Sequence, residues 1–318
     1  MRPPEFWSRD ARLARLLSPL AAVVAGVTAR RVARPGWQAP VPVICCGNAG
    51  AGGSGKTPLA LDLAARLQAR GMRVAFLTRG YRGRSGGGVI AVDPTIHDAN
   101  LVGDEAMLLA ALASTFVCAD RVAGARAACA TGARILVMDD GLQNPGLRQD
   151  LAFLVVDGGA GFGNGRVMPA GPLREPAAAA AARCAAAVLI GDDALDAAGQ
   201  LPAGLPILRA RLLPGRSLAG QRVFAFAGIG RPEKFFATLR DAGATLAGTR
   251  AFADHHRFTE AECAALLRDA AAAGAAPITT AKDAVRLPTS IRARVETLEV
   301  GLAWNDAAAI ERLLDRVA

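Results

Sequence analysis

The sequence predicts an α/β protein: a doubly wound, mostly parallel sheet organised around a phosphate-binding loop, with a second, smaller α/β domain joined to it by a two-stranded linker. Three observations carry this. The apolar run "VPVICC" leads through "GNAGAGGSGKTP" into the amphipathic segment "LALDLAARLQARG", a strand, a glycine-rich loop and a helix in succession. Apolar strand-like segments then alternate with helical ones over more than a hundred residues. A fresh strand–helix–strand–helix run begins at "QRVFAFAGIG" and continues to about residue 290.

In chain order, strands are expected at 72–80, 88–93, 133–141 and 151–158, with helices near 104–113 and 121–132. An alanine-rich helix (177–187) and a strand (186–192) extend the first unit. "PILRARLLP" (206–214) and "ETLEVGLAW" (296–304) flank the second unit and are expected to pair as the linker. The divisions read as residues 1–35 for an N-terminal helical region, 36–210 for the phosphate-binding domain and 211–300 for the smaller domain. Residues 301–318 then return to the first.

At 318 residues, 52% hydrophobic and 20% charged, the chain is long enough for two cored domains and is not a disordered protein. Its six cysteines lack metal-ligand spacing and read as reduced core thiols of a cytosolic protein. A net charge of +9 favours an anionic partner, but no basic run is interleaved with aromatics, which argues against nucleic acid. Residues 16–27, "LLSPLAAVVAGV", are apolar and flanked by Arg12, Arg15, Arg30, Arg31 and Arg34. They are too short for a bilayer, which needs roughly 20 apolar residues. An interfacial helix on an anionic membrane surface is preferred, with an ordinary buried helix as the competing reading.

The loop has the spacing G-x-x-x-x-G-K-T across Gly50, Ala51, Gly52, Gly53, Ser54, Gly55, Lys56 and Thr57. Small residues let successive backbone N–H groups close on a polyphosphate, Lys56 reaches the β- and γ-phosphates, and the Thr57 hydroxyl is placed to ligate Mg²⁺. The architecture is therefore P-loop NTPase-like. "ILVMDDGLQ" puts Asp139 and Asp140 at the end of an apolar strand, where a carboxylate holds Mg²⁺ in this fold. A guanine-recognition N-K-x-D is lacking, since Lys282 and Asp283 are adjacent, so ATP is expected as the nucleotide rather than GTP.

Further segments exceed what a generic P-loop protein needs: "TRGYRG" (78–83), "VGDEAMLLA" (102–110), "DDGLQ" (139–143), "GNGRVMPAGPLREP" (163–176), "FADHHRFT" (252–259) and "TAKDAVRL" (280–287). In this order, and over nearly the whole chain, they closely resemble the tetraacyldisaccharide 4′-kinase family. The resemblance implies transfer of the ATP γ-phosphate to the 4′-hydroxyl of a tetraacyldisaccharide 1-phosphate, giving lipid IVA for lipid A. It also implies a peripheral location at the cytoplasmic face of the inner membrane and no obligate protein partner. It casts Asp104 as the catalytic base and His255 as its partner, although His256 is adjacent and the choice stays open, and N-capping is the competing role for Asp104. Glu175 joins the metal set, Arg174 faces the phosphates, and Arg79, Tyr81 and Arg121 meet the lipid headgroup. The glycine-rich loop with Arg79, Arg82 and Arg84 is a candidate for the 1-phosphate. The alternative from another class is a peripheral-membrane nucleotide switch without lipid kinase activity, which accounts for the loop, Asp139 and the N-terminal helix but not for Asp104, Glu175 and His255 together.

Overall fold

The structure is a computed structural model that describes residues 4–81, 83–84 and 86–318, so Arg82 lies outside the described residues. Its strands are β1 (Val43–Gly47), β2 (Val74–Thr78), β3 (Ile90–Ala91), β4 (Ser114–Val117), β5 (Ile135–Asp139), β6 (Leu151–Asp157) and β7 (Ala186–Ile190). They continue as β8 (Ile207–Pro214), β9 (Arg222–Ala227), β10 (Thr245–Ala251), β11 (Ala276–Thr280), β12 (Glu296–Leu298) and β13 (Val300–Trp304). Nine of them form one sheet in the order β13-β8-β7-β6-β1-β5-β2-β4-β3. All pairings in it are parallel except those of β3 with β4 and β13 with β8 at its two edges.

Strand alternation explains why this sheet is covered on both faces. Cys45, Leu77, Met138 and Leu154 point to one side, where the helices Arg121–Ala130 and Ser18–Val32 pack. Ile44, Phe76, Val137 and Phe153 point to the other, against Leu59, Leu63 and Leu67 of the helix Lys56–Ala69 and Ile310, Leu313 and Leu314 of the helix Ala307–Leu314. The last helix packs on this face of the larger sheet. Arg66 and Arg70 fasten it there through Glu311.

The smaller sheet, β10-β9-β11-β12, is parallel throughout. The helix Pro232–Asp241 covers one face with Phe235, Phe236 and Leu239, and the helix Glu260–Ala272 covers the other with Cys263 and Leu266. The expected linker forms as β8 and β13, antiparallel from Ala210 to Pro214. The run 296–304, read as one strand, is divided at Glu299 between the two sheets.

Further sequence expectations differ from the structure. Strand β4 went unread because "STFV" is short and begins on an exposed serine. The expected strand 88–93 is only a two-residue edge pairing, and the alanine-rich helix stops at Ala181. In the N-terminal helices Ala14, Leu17, Ala21 and Val24 face the core, while Leu13, Leu16, Leu20, Val23 and Val27 lie exposed. No helix among the described residues is long and apolar enough to cross a membrane.

Candidate active site

The C-terminal ends of β1, β5, β6, β2 and β4 share one edge of the parallel sheet, the edge at which open α/β folds gather their ligands. The loop after β1 turns with positive φ at Gly52 (135°) and Gly55 (92°). Its entry is held in extended form by "GPLREP": Ala51 N–H donates to Pro172 O at 2.8 Å and Arg174 N–H donates to Ala49 O at 2.7 Å. Two motifs far apart in sequence therefore form one wall of the site.

Thr57 lies in the first turn of the next helix, and its hydroxyl donates to Asp139 Oδ2 at 2.8 Å. The other oxygen of Asp139 and the Ser54 hydroxyl are buried without a hydrogen-bond partner among the described residues. Unsatisfied buried oxygens are costly, and at this loop they are the groups a metal–nucleotide would engage. These residues fit Mg²⁺ and a nucleoside triphosphate. Burial, reinforced by Glu105, pushes the Asp139 carboxyl up to about 7 against the pull of Lys56.

Asp140 leaves the strand in the left-handed region (φ 55°). It accepts a forked pair of hydrogen bonds from Arg174 at 2.9 and 3.1 Å and lies 3.8 Å from Lys56. Burial opposes its ionisation, but Lys56 and Arg174 outweigh it and hold the carboxyl below the usual value. Glu175 is not brought to the Thr57–Asp139 pair. It is buried, with its oxygens taken by Arg183 at 2.7 and 2.8 Å and by Gln143 at 2.8 Å, and Gln143 in turn accepts from the Arg174 guanidinium.

Opposite the loop, the smaller domain closes on Asp104. This residue opens the helix Asp104–Ala110, and the one backbone hydrogen bond its side chain accepts among the described residues comes from the adjacent Glu105 N–H. Its second oxygen meets His255 Nδ1 at 3.0 Å and Arg286 Nε at 3.0 Å. Burial works against charge here, yet the His255 hydrogen bond and the Lys282 and Arg286 cations hold the carboxyl well below the carboxylate range. His255 itself has φ 58°, its N–H donating to Gly228 O, and the Tyr81 ring stands edge-on to its imidazole at 5.8 Å. His256 turns the other way, stacked on Phe252 and bonded to Glu262 at 3.1 Å inside its own domain. The geometry therefore singles out His255 of the two.

Arg79 is exposed at the end of β2, whereas Arg121 is buried, bonded to Cys118 O, with its Nε unpaired among the described residues. Sequence reasoning missed Arg286, which "TAKDAVRL" contains but whose spacing says nothing of Asp104. It also missed Lys282 as the partner of Glu105 (2.8 Å), and Arg231 and Lys234, which reach across to Asp157 at the end of β6.

The family model described as LpxK, tetraacyldisaccharide-1-P 4′-kinase, matches residues 13–318. The chain belongs to that family. Among curated relatives, the tetraacyldisaccharide 4′-kinase of Gluconacetobacter diazotrophicus is 57% identical over 320 residues, spanning 99% of this chain and 98% of that protein. The one from Rhodospirillum rubrum is 50% identical over 325 residues, spanning 100% of this chain and 98% of its own length. The crystal structure of the "apo" form of LpxK from Aquifex aeolicus in complex with ATP superposes with a TM-score of 0.78 at 26% identity, covering 96% of this chain and 99% of that one.

Proposed function

We propose that this chain is a tetraacyldisaccharide 4′-kinase that transfers the γ-phosphate of ATP to the 4′-hydroxyl of a tetraacyldisaccharide 1-phosphate, forming lipid IVA in lipid A synthesis. The observation that carries the site assignment is the Asp104–His255 pair, made between two domains and facing the same edge as the phosphate loop.

Gly50 to Thr57 would hold the triphosphate, with Lys56 on its terminal phosphates. Thr57 and Asp139 would hold Mg²⁺, which when bound screens the phosphate charge. Asp140 fixes Lys56 and Arg174 beside it, and Glu175 acts through Gln143 and Arg174 rather than by direct contact. The 4′-oxygen forms its bond to the γ-phosphorus as the bond to the β–γ bridging oxygen breaks, and that electron pair leaves with ADP. The hydroxyl proton goes to the Asp104–His255 pair. In a loose phosphoryl-transfer transition state little nucleophile bonding is needed before proton loss, so alignment of the hydroxyl counts for more than basicity. That is consistent with an acceptor carboxylate as firmly ionised as Asp104.

Arg79, Tyr81 and Arg121 are assigned to the lipid headgroup. The exposed stripe Leu13, Leu16, Leu20, Val23 and Val27, with Leu16 76% exposed, supports a peripheral seat at the cytoplasmic face of the inner membrane. The stripe repeats every three or four residues along one side of the N-terminal helices.

The test is incubation with γ-labelled ATP, Mg²⁺ and a tetraacyldisaccharide 1-phosphate. Label on the lipid is expected. Label appearing only as inorganic phosphate would return the protein to the nucleotide-switch reading.

A further inference from the structure

Arg286 is the most heavily engaged side chain at the junction of the two domains. Its side chain is 6% exposed. Nε and Nη2 both donate to Asp104 Oδ2, while Nη1 donates to Gly228 O and to Asp283 Oδ1, each at 2.9 Å. The same Gly228 carbonyl accepts the His255 backbone N–H at 2.9 Å, and Gly228 N–H donates to Asp283 Oδ2 at 3.1 Å. One guanidinium thus grips the Asp104 side chain from one domain and, in the other, the backbone that carries His255.

We propose that Arg286 is a positioning residue for phosphoryl transfer, one that fixes the Asp104 carboxylate against His255 and supplies its permanent counter-charge. The proposal rests on the assignment of Asp104 and His255 as the proton-accepting pair. A guanidinium suits the task for two physical reasons. It never loses its charge at any working pH, and its rigid planar fork holds donors on separate nitrogens toward two directions, whereas an ammonium carries all three donors on one nitrogen.

Among the described residues, Arg286 is the group in direct contact with that carboxylate oxygen besides His255. From the first domain, Glu105 adjoins Asp104 but is paired with Lys282, and the Tyr81 ring faces the imidazole. From the second, Lys282 acts on Asp104 at a distance, Asp283 is turned to Arg286 itself, and Asp254 lies 3.9 Å from His255 Nε2. Removing the Arg286 charge favours the protonated form of the pair. The acid limb of the rate profile must then move to higher pH, a change that loss of packing alone does not produce.

The experiment compares Arg286→Gln and Arg286→Lys, each in the natural chain and in an Asp104→Asn background, by lipid phosphorylation from γ-labelled ATP across pH. Arg286→Gln is expected to lower kcat about 10²-fold, to leave the KM for ATP nearly unchanged, and to shift the acid limb up by about one pH unit. Arg286→Lys is expected to keep the limb in place while recovering only part of the rate. In the Asp104→Asn background Arg286→Gln should cost almost nothing further. An unmoved limb in Arg286→Gln, or losses that multiply in the double variant, overturns the proposal. Should Arg286→Gln not fold, Arg286→Lys decides, because a wild-type kcat there shows that the fork is not needed. An Asp104→Asn protein of wild-type activity instead removes the underlying assignment of Asp104, and the two failures are told apart.

Discussion

His255 Nδ1 stands 3.0 Å from Asp104 Oδ2 although the residues are 151 positions apart and belong to different domains. The pair is already formed in this arrangement of the domains, alongside the Lys282–Glu105 and Arg231–Asp157 contacts that bridge the same cleft.

Groups that work as a unit lose their effects non-additively. Asp104→Ala and His255→Ala should each lower kcat by about 10²-fold or more, and the double variant should be scarcely worse than the poorer single. His256→Ala should retain activity, since His256 serves Phe252 and Glu262 within its own domain. Steady-state kinetics of the four variants decides this, and multiplicative losses would falsify the pairing.

Gly55 is the loop position least able to accept a side chain. Its φ is 92°, and a Cβ there would lie 2.6 Å from Cδ1 of the buried Ile190. Gly55→Ala is expected to cost about 1–3 kcal/mol of stability from backbone strain alone and to weaken ATP binding more than tenfold, roughly 1.4 kcal/mol. Thermal melts and ATP titration measure both. A variant with unchanged ATP affinity contradicts the assignment of this loop to the phosphates.

The N-terminal helix offers a test that leaves the catalytic machinery alone. Replacing Leu16, Leu20 and Val23 with Asp should release the protein from anionic vesicles and impair use of the long-chain lipid, while ATP binding stays intact. Val24 is unsuitable for this test, because it packs on the core. Sedimentation with vesicles reads the outcome, and full retention of the triple variant shows that the stripe is not the contact.

The cation-held state of Asp104 sets an expectation for pH. A carboxyl whose folded value is lowered contributes stability that is complete above its unfolded value of about 3.9 and lost only as the pH falls through the lower folded value. The contact between the domains should therefore be equally firm at pH 5 and pH 8. Small-angle scattering should give the same radius of gyration at both, and expansion at pH 5 shows that Asp104 is not the group holding the domains.

What the sequence determined by itself is local chemistry. The loop Gly50–Thr57 and the strand end at Asp139 each depend on residues a few positions apart, so spacing and periodicity suffice to read them. The linker was also legible, because the apolar segments that make it stand out at either end of the smaller domain. Only the tertiary structure decided which histidine of 255 and 256 meets Asp104. Side chains of neighbouring residues leave the backbone in different directions, and the positive φ of His255 fixes which one crosses the cleft. The same holds for Arg286 on Asp104, Arg183 on Glu175 and Arg231 on Asp157. A charge can be read from sequence, but its partner is set by how two sheets and their helices pack, and that distance leaves no periodic trace along the chain.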